Sequence, residues 1–245
     1  MRIALIADIH GNLPALDAVL DNSARSGVDV MVCLGDVAAF GPSPGEVVAR
    51  LRAIGCPIVL GDADAELFAP GPPAEDETLR HLRDIDAWSA ARLGESGRAY
   101  LTALPKTLAI PLDGGETLLA YHGSPRSYKD RILATTSDDD LAAWFDGHGA
   151  TVYAGGHTHL QLLRRYRDAL VVNPGSVGLA YDRVPIPGAT VRNPAWAEYA
   201  ILTVAGACVS VDLRRVPFDV AALVRTARER AMPHAQWWGA DWDLG

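Results

Sequence analysis

The chain contains 245 residues, with 30 acidic and 22 basic side chains and a formal net charge of −8. A hydrophobic content of 49% and a charged content of 21% are those of a soluble globular protein. The acidic balance argues against a stable complex with nucleic acid, since such complexes depend on basic side chains at the phosphates. The length predicts one α/β domain over residues 1–245.

Three features of the sequence predict a cytoplasmic protein. The first apolar run is followed by Asp8 within eight residues, so we expect no signal peptide. No apolar run approaches the length of a membrane span, so we expect no membrane partner. Cys33, Cys56 and Cys208 each lie within apolar runs, which predicts reduced core residues rather than disulfide partners.

Apolar runs alternate with helical periodicities along the first half of the chain. Leu13, Leu16, Val19 and Leu20 recur at helical spacing, and Asn12 before them is a predicted N-cap. A second amphipathic pattern covers residues 46–54. Strands are predicted at 2–7, 30–34 and 57–60. This strand-helix-strand order is typical of parallel sheets with helices on their faces.

The longest predicted helix covers residues 77–104 and follows a proline-rich loop at 70–76. A break is expected near Gly94 or Gly97, because glycine disfavours a helix interior. This region is predicted to form either a helical cap over a functional site or a packing helix.

The second half of the chain is richer in strands. Strands are predicted at 106–112, 117–122, 151–156, 169–173, 198–204 and 207–216, and helices at 138–147 and 219–231. Together with the first half, this order predicts two packed sheets with helices outside. A single doubly wound sheet is the alternative that the pattern leaves open.

Potential metal ligands follow the predicted strands. They are Asp8, His10, Asp36, Asp62, Asp64, His122, His157 and His159. Because ligands in open α/β sheets bind beyond the carboxyl ends of the strands, we expect these side chains to converge. Carboxylates and imidazoles without thiolates suit manganese, iron, cobalt, nickel or zinc, and argue against calcium. Without Asp64, seven candidates remain, which are too many for one ion, so the residues indicate a two-metal phosphoester hydrolase.

Five separated motifs occur in the order of the calcineurin-like metallophosphoesterase family, which this chain resembles over roughly residues 1–215. They are Asp8-x-His10, Gly35-Asp36, Gly61-Asp62-Ala63-Asp64, His122 and Gly156-His157-x-His159. The likeness is greatest to the small bacterial and archaeal phosphodiesterases of the family. It implies a fold of the α/β class, a four-layer α-β-β-α sandwich of two packed mixed sheets. Each motif alone also fits an ordinary turn, and their coincidence carries the interpretation.

The resemblance also implies roles for the motif residues. Metal one would be held by Asp8, His10 and His159, metal two by Asp62, His122 and His157, and Asp36 would bridge both. A hydroxide bridging the two ions would attack phosphorus. Manganese is the first candidate for both ions, with iron, nickel, cobalt or zinc as alternatives. The catalytic candidates are Asp36, His10 and Asp64.

Substrate-binding residues are predicted on loops beside these motifs. The candidates are Arg126, Arg183 and Asn12. The histidines outside the motifs, His81, His148 and His234, are interpreted as ordinary helix or loop residues. Trp237, Trp238 and Trp242 are expected either to pack onto the domain or to form a subunit contact in a homo-oligomer.

One motif departs from the family pattern. Many members have Asn and His where this chain has Asp62 and Ala63. The leading hypothesis is a metal-dependent phosphodiesterase, with phosphomonoesters as a lesser option, acting on a small phosphorylated, nucleotide-like substrate. The alternatives are a hydrolase of phosphoanhydrides such as dinucleoside polyphosphates, and a non-catalytic metal-binding interaction module of the same fold.

Overall fold

A computed structural model describes residues 1–69, 76–185, 191–206 and 208–242. The strands are β1 (Arg2–Ile6), β2 (Val30–Cys33), β3 (Leu108–Pro111), β4 (Thr117–Ala120), β5 (Val152–Ala154), β6 (Gln161–Tyr166), β7 (Ala169–Pro174), β8 (Trp196–Ala205) and β9 (Cys208–Pro217). The helices are α1 (Leu13–Arg25), α2 (Pro44–Ala53), α3 (Asp62–Glu66), α4 (Glu77–Thr102), α5 (Asp138–Phe145), α6 (Val220–Glu229) and α7 (Ala235–Gly239). A short 3₁₀ turn covers Asp113–Gly115.

The strands form two mixed sheets. The first has the order β2-β1-β8-β9, in which β1 is parallel to β2 and antiparallel to β8. The second has the order β3-β4-β5-β7-β6, in which β4, β5 and β7 are parallel to one another. This arrangement confirms the prediction of two mixed sheets and excludes the single doubly wound sheet.

Strand β1 shows how the sheets and helices form successive layers. Ile3 and Leu5 point into an apolar layer shared with residues of the second sheet, such as Leu118 and Val152. The alternate residue Ile6 points to the opposite face, where residues of α1 and α2 pack. Because successive side chains of a strand face opposite sides, one strand contributes to two cores at once. The apolar sequence of β1 after Arg2 therefore follows from burial on both faces.

Two further apolar clusters complete the packing. On the outer face of the second sheet, α5 packs through Leu141 and Phe145, and the Phe145 ring stacks on Tyr153 with ring centroids 4.0 Å apart. The fourth cluster joins α4, α6 and α7 around residues such as Ile85 and Trp238. Within the described ranges, no helix combines the length and apolarity needed to cross a bilayer.

Several sequence predictions need correction. Residues 57–60 form only an isolated parallel bridge, Cys33 to Ile58, rather than a full strand. Strand β6 was not predicted, and neither was the five-residue helix α7. Cys208 is exposed, whereas Cys33 and Cys56 are buried as expected, and all three are free thiols.

The break in the longest helix lies at Gly94, whose φ of 62° and ψ of −171° are not helical. Glycine tolerates this left-handed φ because it lacks a Cβ atom. Most of the predicted loop at 70–76 lies outside the described residues.

Candidate metal centre

The predicted ligands come together where strands of both sheets end. Asp8 and His10 follow β1, and Asp36 follows β2 in the first sheet. His122 follows β4 of the second sheet. His157 and His159 follow β5, which lies beside β4, and Asp62 begins α3. The site thus lies at the junction of the two sheets, and its residues come from widely separated parts of the chain.

The ligand atoms form three overlapping groups. In each group, one atom from every residue lies within 4.8 Å of the others. The groups are Asp8, His10 and His159; Asp62, His122 and His157; and Asp8, Asp36 and His122. The first two groups match the two triads that the resemblance implies.

Asp36 lies between the two triads. Its Oδ2 atom is 3.3 Å from His122 Nε2 and 3.9 Å from His10 Nε2. Its Oδ1 atom accepts a hydrogen bond of 3.0 Å from the Ala63 amide at the start of α3. One carboxylate oxygen is therefore fixed by the backbone, and the other is directed at both groups of histidines.

Backbone carbonyls orient three of the four histidine rings. The Nδ1 atoms of His10, His122 and His159 lie 3.2, 2.7 and 2.7 Å from the carbonyl oxygens of Ala39, Leu34 and Leu179. Because a carbonyl can only accept, each Nδ1 must carry the proton. This places the lone pair of the neutral ring on Nε2, the atom that faces the site, as in histidines that bind metals.

Two of these rings approach each other closely through their Nε2 atoms. His10 Nε2 and His159 Nε2 are 3.2 Å apart. With Nδ1 protonated on both neutral rings, neither Nε2 has a hydrogen to donate, so their lone pairs repel unless a cation lies between or beside them. A metal ion or an added proton meets this requirement.

The carboxylates make the site attractive to cations. Burial acts to raise the pKa of Asp8. The neighbouring His159 outweighs this effect, and the pKa of Asp8 is lowered. The pKa of Asp62 is likewise held below its usual range against the effect of burial, because His122 and His157 hydrogen-bond to it, each at 2.9 Å. Burial acts to lower the pKa of His122. Asp36 and Asp62 outweigh this effect and raise that pKa well above its ordinary value. The donor set therefore fits divalent transition-metal ions.

The backbone at the site is strained. Five ligand candidates have a left-handed φ: Asp8 at 54°, His10 at 48°, Asp36 at 54°, His157 at 69° and His159 at 56°. Each such residue costs about 1–2 kcal/mol relative to ordinary backbone, although Asp and His tolerate the region better than most residues. Strain that the surrounding fold maintains is concentrated at functional sites, and here it coincides with the ligand candidates.

Two further predicted residues support the site rather than line it. Asp64 is fully buried and accepts hydrogen bonds from the amides of Val37 and Ala38 at 2.7 and 2.8 Å. Burial, and then the nearby Asp36 carboxylate, raise the pKa of Asp64 to about 7. Its contacts fix the loop after Asp36, and the catalytic role of Asp64 stays a prediction.

Asn12 is also buried, with 1% of its surface exposed. Its side chain accepts a hydrogen bond from the Ala15 amide and donates one to the Gly178 carbonyl. Asn12 therefore caps α1, as the sequence predicted, and its role in substrate binding stays a prediction.

The two predicted arginines are not among the residues that line the cavity over the ligand atoms. Arg126 is exposed, and its guanidinium pairs with Asp130 at 2.7 Å. Arg183 is exposed and pairs with the adjacent Asp182 at 2.8 Å, and it lines a neighbouring cavity of about 390 Å³ that shares His159 and Tyr181 with the cavity over the ligands. Neither lines the cavity over the ligands, and their roles in substrate binding stay predictions.

A cavity of about 380 Å³ opens onto the ligand atoms. Beyond the ligands it is lined mainly by aromatic and apolar side chains, namely Phe40, Leu82, Leu179, Tyr181, Val191, Trp237 and Trp238. Sequence reasoning missed most of these residues. The sequence drew attention to the tryptophan pair near the carboxyl end and, as a possible cap, to the region that contains Leu82. The position of both over the site depends on tertiary packing.

The family model of the calcineurin-like phosphoesterase superfamily domain matches residues 1–194. The chain belongs to this family. The phosphoesterase resemblance and the mixed four-layer fold are therefore established. The match ends before β8, so the segment that supplies α6 and α7 lies outside it.

The individual relatives are distant but cover much of the chain. A metallophosphoesterase structure from Sphaerobacter thermophilus is 27% identical, with a TM-score of 0.73, and the match covers 98% of this chain and 97% of that one. An uncharacterized protein from Methanocaldococcus jannaschii is 24% identical across 99% of this chain and 98% of its own length. The phosphodiesterase YfcE of Escherichia coli K12 is 26% identical across 73% of this chain and 80% of its own length.

Proposed function

We propose that this phosphoesterase is a two-metal enzyme that hydrolyses small phosphodiesters. The observation that carries the proposal is the pair of ligand triads joined through Asp36. Two such positions at one cavity fit two divalent ions, with manganese as the first candidate. The phosphodiesterase named among the relatives supports the diester as substrate.

The contacts among the ligand candidates favour one ion position for each triad. Asp8, His10 and His159 would hold one ion, and Asp62, His122 and His157 the other. Asp36 would contact both, because its Oδ2 atom faces histidines of each triad. When bound, the ions supply the positive charge that neutralises phosphate oxygens and lowers the pKa of the attacking water.

Charge favours a diester over a monoester or an anhydride. Asp8, Asp36 and Asp62 together offset all but one of the four positive charges of two divalent ions. A diester carries one negative charge and would leave the site neutral. Among the described residues that line the cavity, none is Lys or Arg. The polyphosphate chain of a dinucleoside polyphosphate would find no side-chain cation there.

The cavity also favours substrates with a good leaving group. Ala63, at the position where many members of the family have histidine, lines the cavity directly. An alanine cannot donate a proton to the departing oxygen, and such general acids contribute roughly 10²–10⁴-fold to a rate. Aryl diesters, whose leaving groups need little protonation, should therefore be hydrolysed faster than alkyl diesters.

The test is hydrolysis of bis(4-nitrophenyl) phosphate together with metal analysis. We expect a chelator to abolish activity and manganese to restore it, with two ions bound per chain. Asp36→Asn should lower kcat by roughly 100-fold or more, because it weakens both ion positions. His157→Ala should empty one position and His159→Ala the other. Asp139→Asn, an exposed residue of α5, is the matched control and should retain wild-type activity.

Two results would count against this function. At most one ion per chain under saturating manganese would contradict the two-metal site. Two bound ions without hydrolysis of any ester across manganese, nickel, cobalt and zinc would favour the non-catalytic interaction module instead.

A further inference from the structure

The outer wall of the metal cavity is built by residues distant from the metal motifs. Trp237, Trp238 and Asp241 come from α7 and the chain just after it. Thr78 and Leu82 come from the first turns of α4. The three residues near the carboxyl end lie outside the residues matched by the family model. The family match therefore does not extend to the part of this wall that the carboxyl-terminal segment supplies.

Trp237 is fixed in this wall by α4. The Trp237 and His81 rings meet in a T-shaped arrangement with centroids 4.8 Å apart, and His81 stacks on His234 at 3.8 Å. His234 is in turn 2.8 Å from an Asp84 carboxylate oxygen. Trp237 is only half-buried, whereas the adjacent Trp238 is 5% exposed. An indole that is held by a neighbouring ring and lines a cavity is preorganised for contact with a ligand.

The charges around the cavity disfavour substrates that carry negative charge in addition to that of the phosphate. Asp241 is exposed on the wall, and the hydrogen bonds and ion pairs of the described residues give its carboxylate no cationic partner. Glu66, also on the wall, pairs with Lys129, so these two charges offset each other. The wall consequently presents aromatic surface and one uncompensated negative charge.

We propose that Trp237 and Asp241 determine substrate specificity, by selecting diesters with an uncharged aromatic substituent such as an aryl or nucleoside group. Trp237 packs against the substituent, and Asp241 repels substrates with additional negative charge. A cavity of about 380 Å³ is within the range of small-molecule sites. This inference rests on the proposed diesterase function, since the phosphate must bind at the metals for the substituent to reach the wall.

The experiment uses phosphinates, which have P–C bonds and cannot be hydrolysed, in calorimetric titrations of the manganese-loaded protein. Diphenylphosphinate and dimethylphosphinate carry the same single charge but differ in their rings. The wild-type protein should bind the diphenyl compound at least about 10-fold more tightly, since an aromatic contact adds burial and ring packing. This comparison needs no variant.

Trp237→Ala should weaken diphenylphosphinate binding by about 10-fold and leave dimethylphosphinate binding unchanged, while Trp237→Phe should have a smaller effect. Trp144→Ala removes another half-buried tryptophan, which lies outside this cavity, and should change neither affinity. Asp241→Asn should tighten binding of the dianion phenylphosphonate by about 3-fold, with little effect on the monoanionic phosphinates. Asp139→Asn is the control for charge.

Equal affinities of the two phosphinates for the wild-type protein would overturn the proposal, as would a Trp237→Ala variant that retains the wild-type preference. If diesters are hydrolysed normally in either case, only the specificity inference fails. If neither phosphinate binds and no diester is hydrolysed, the proposed function fails with it.

Discussion

Gly61 controls the position of Asp36 through close contact. A Cβ atom at Gly61 would lie 2.0 Å from Asp36 Oδ1 and 2.4 Å from the Asp36 amide nitrogen. The φ of Gly61 is −94°, which any residue can adopt, so space rather than conformation requires glycine here. The carboxylate that joins the two triads is thus held against a bare backbone.

We predict that Gly61→Ala displaces Asp36 and lowers kcat/KM for an aryl diester by about 100-fold, because misplacement by ~1 Å can cost that much. Bound manganese, measured by metal analysis, should fall as well. Gly149→Ala is the matched control, since a Cβ atom there would meet nothing within 4 Å. Wild-type metal content and rate in Gly61→Ala would show that Asp36 is not held in this way.

At the scale of elements, α6 packs against α7, the helix that carries Trp237 and Trp238. Val224 of α6 packs against Gly239 of α7, where an added Cβ atom would lie 3.1 Å from Val224 Cγ1. Helix α6 begins at Val220, and the Asp219 side chain caps it by accepting a hydrogen bond of 2.8 Å from the Ala222 amide. The stability of this cap therefore supports the packing of α7.

Replacing the cap should have a modest and measurable effect. We predict that Asp219→Ala lowers the free energy of unfolding by about 1 kcal/mol, because the first turn of α6 loses a partner for its amide. Asp219→Asn keeps an accepting oxygen and should lower it by only a few tenths of a kcal/mol. Urea denaturation monitored by circular dichroism measures both, and equal losses in the two variants would contradict the capping role.

Sequence patterns predicted elements well where local chemistry was strong. The apolar strands that end at Asp8 and His122 were recognisable, and the convergence of their side chains followed from sheet geometry. Strand β6 was missed because the turn into β7 uses Arg167, with φ of 50°, and Asp168 rather than a typical Asn-Gly pair. Local signals also fail for Trp237, since a five-residue helix reaches the site only through tertiary packing.

At the scale of the whole molecule, the candidate metals would connect the two sheets. Asp8, His10 and Asp36 follow strands of the first sheet, whereas His122, His157 and His159 follow strands of the second. Without cations, the carboxylates among these ligands and Asp62 repel one another. Ions bound there would stabilise the folded state alone, because only folding brings the ligands together.

We predict that manganese at about 100 times its dissociation constant stabilises the fold by ~2.7 kcal/mol and raises Tm by roughly 5–10 °C. Differential scanning calorimetry with and without a chelator measures the shift. The double variant His157→Ala with His159→Ala should lose most of it. A shift of wild-type size in that variant would mean that manganese stabilises the chain from elsewhere.

The position of β8 has a practical consequence for anyone designing a shorter fragment. The family match ends at residue 194, yet β8 begins at Trp196 and lies between β1 and β9 in the middle of the first sheet. A fragment cut at 194 would leave β1 as an open edge, with the backbone partners of Ile3 and Leu5 removed. Unprotected apolar edges promote aggregation. Expression of residues 1–194 should therefore yield insoluble material rather than a minimal enzyme, since the strand that presents Asp8 depends on the last fifth of the chain.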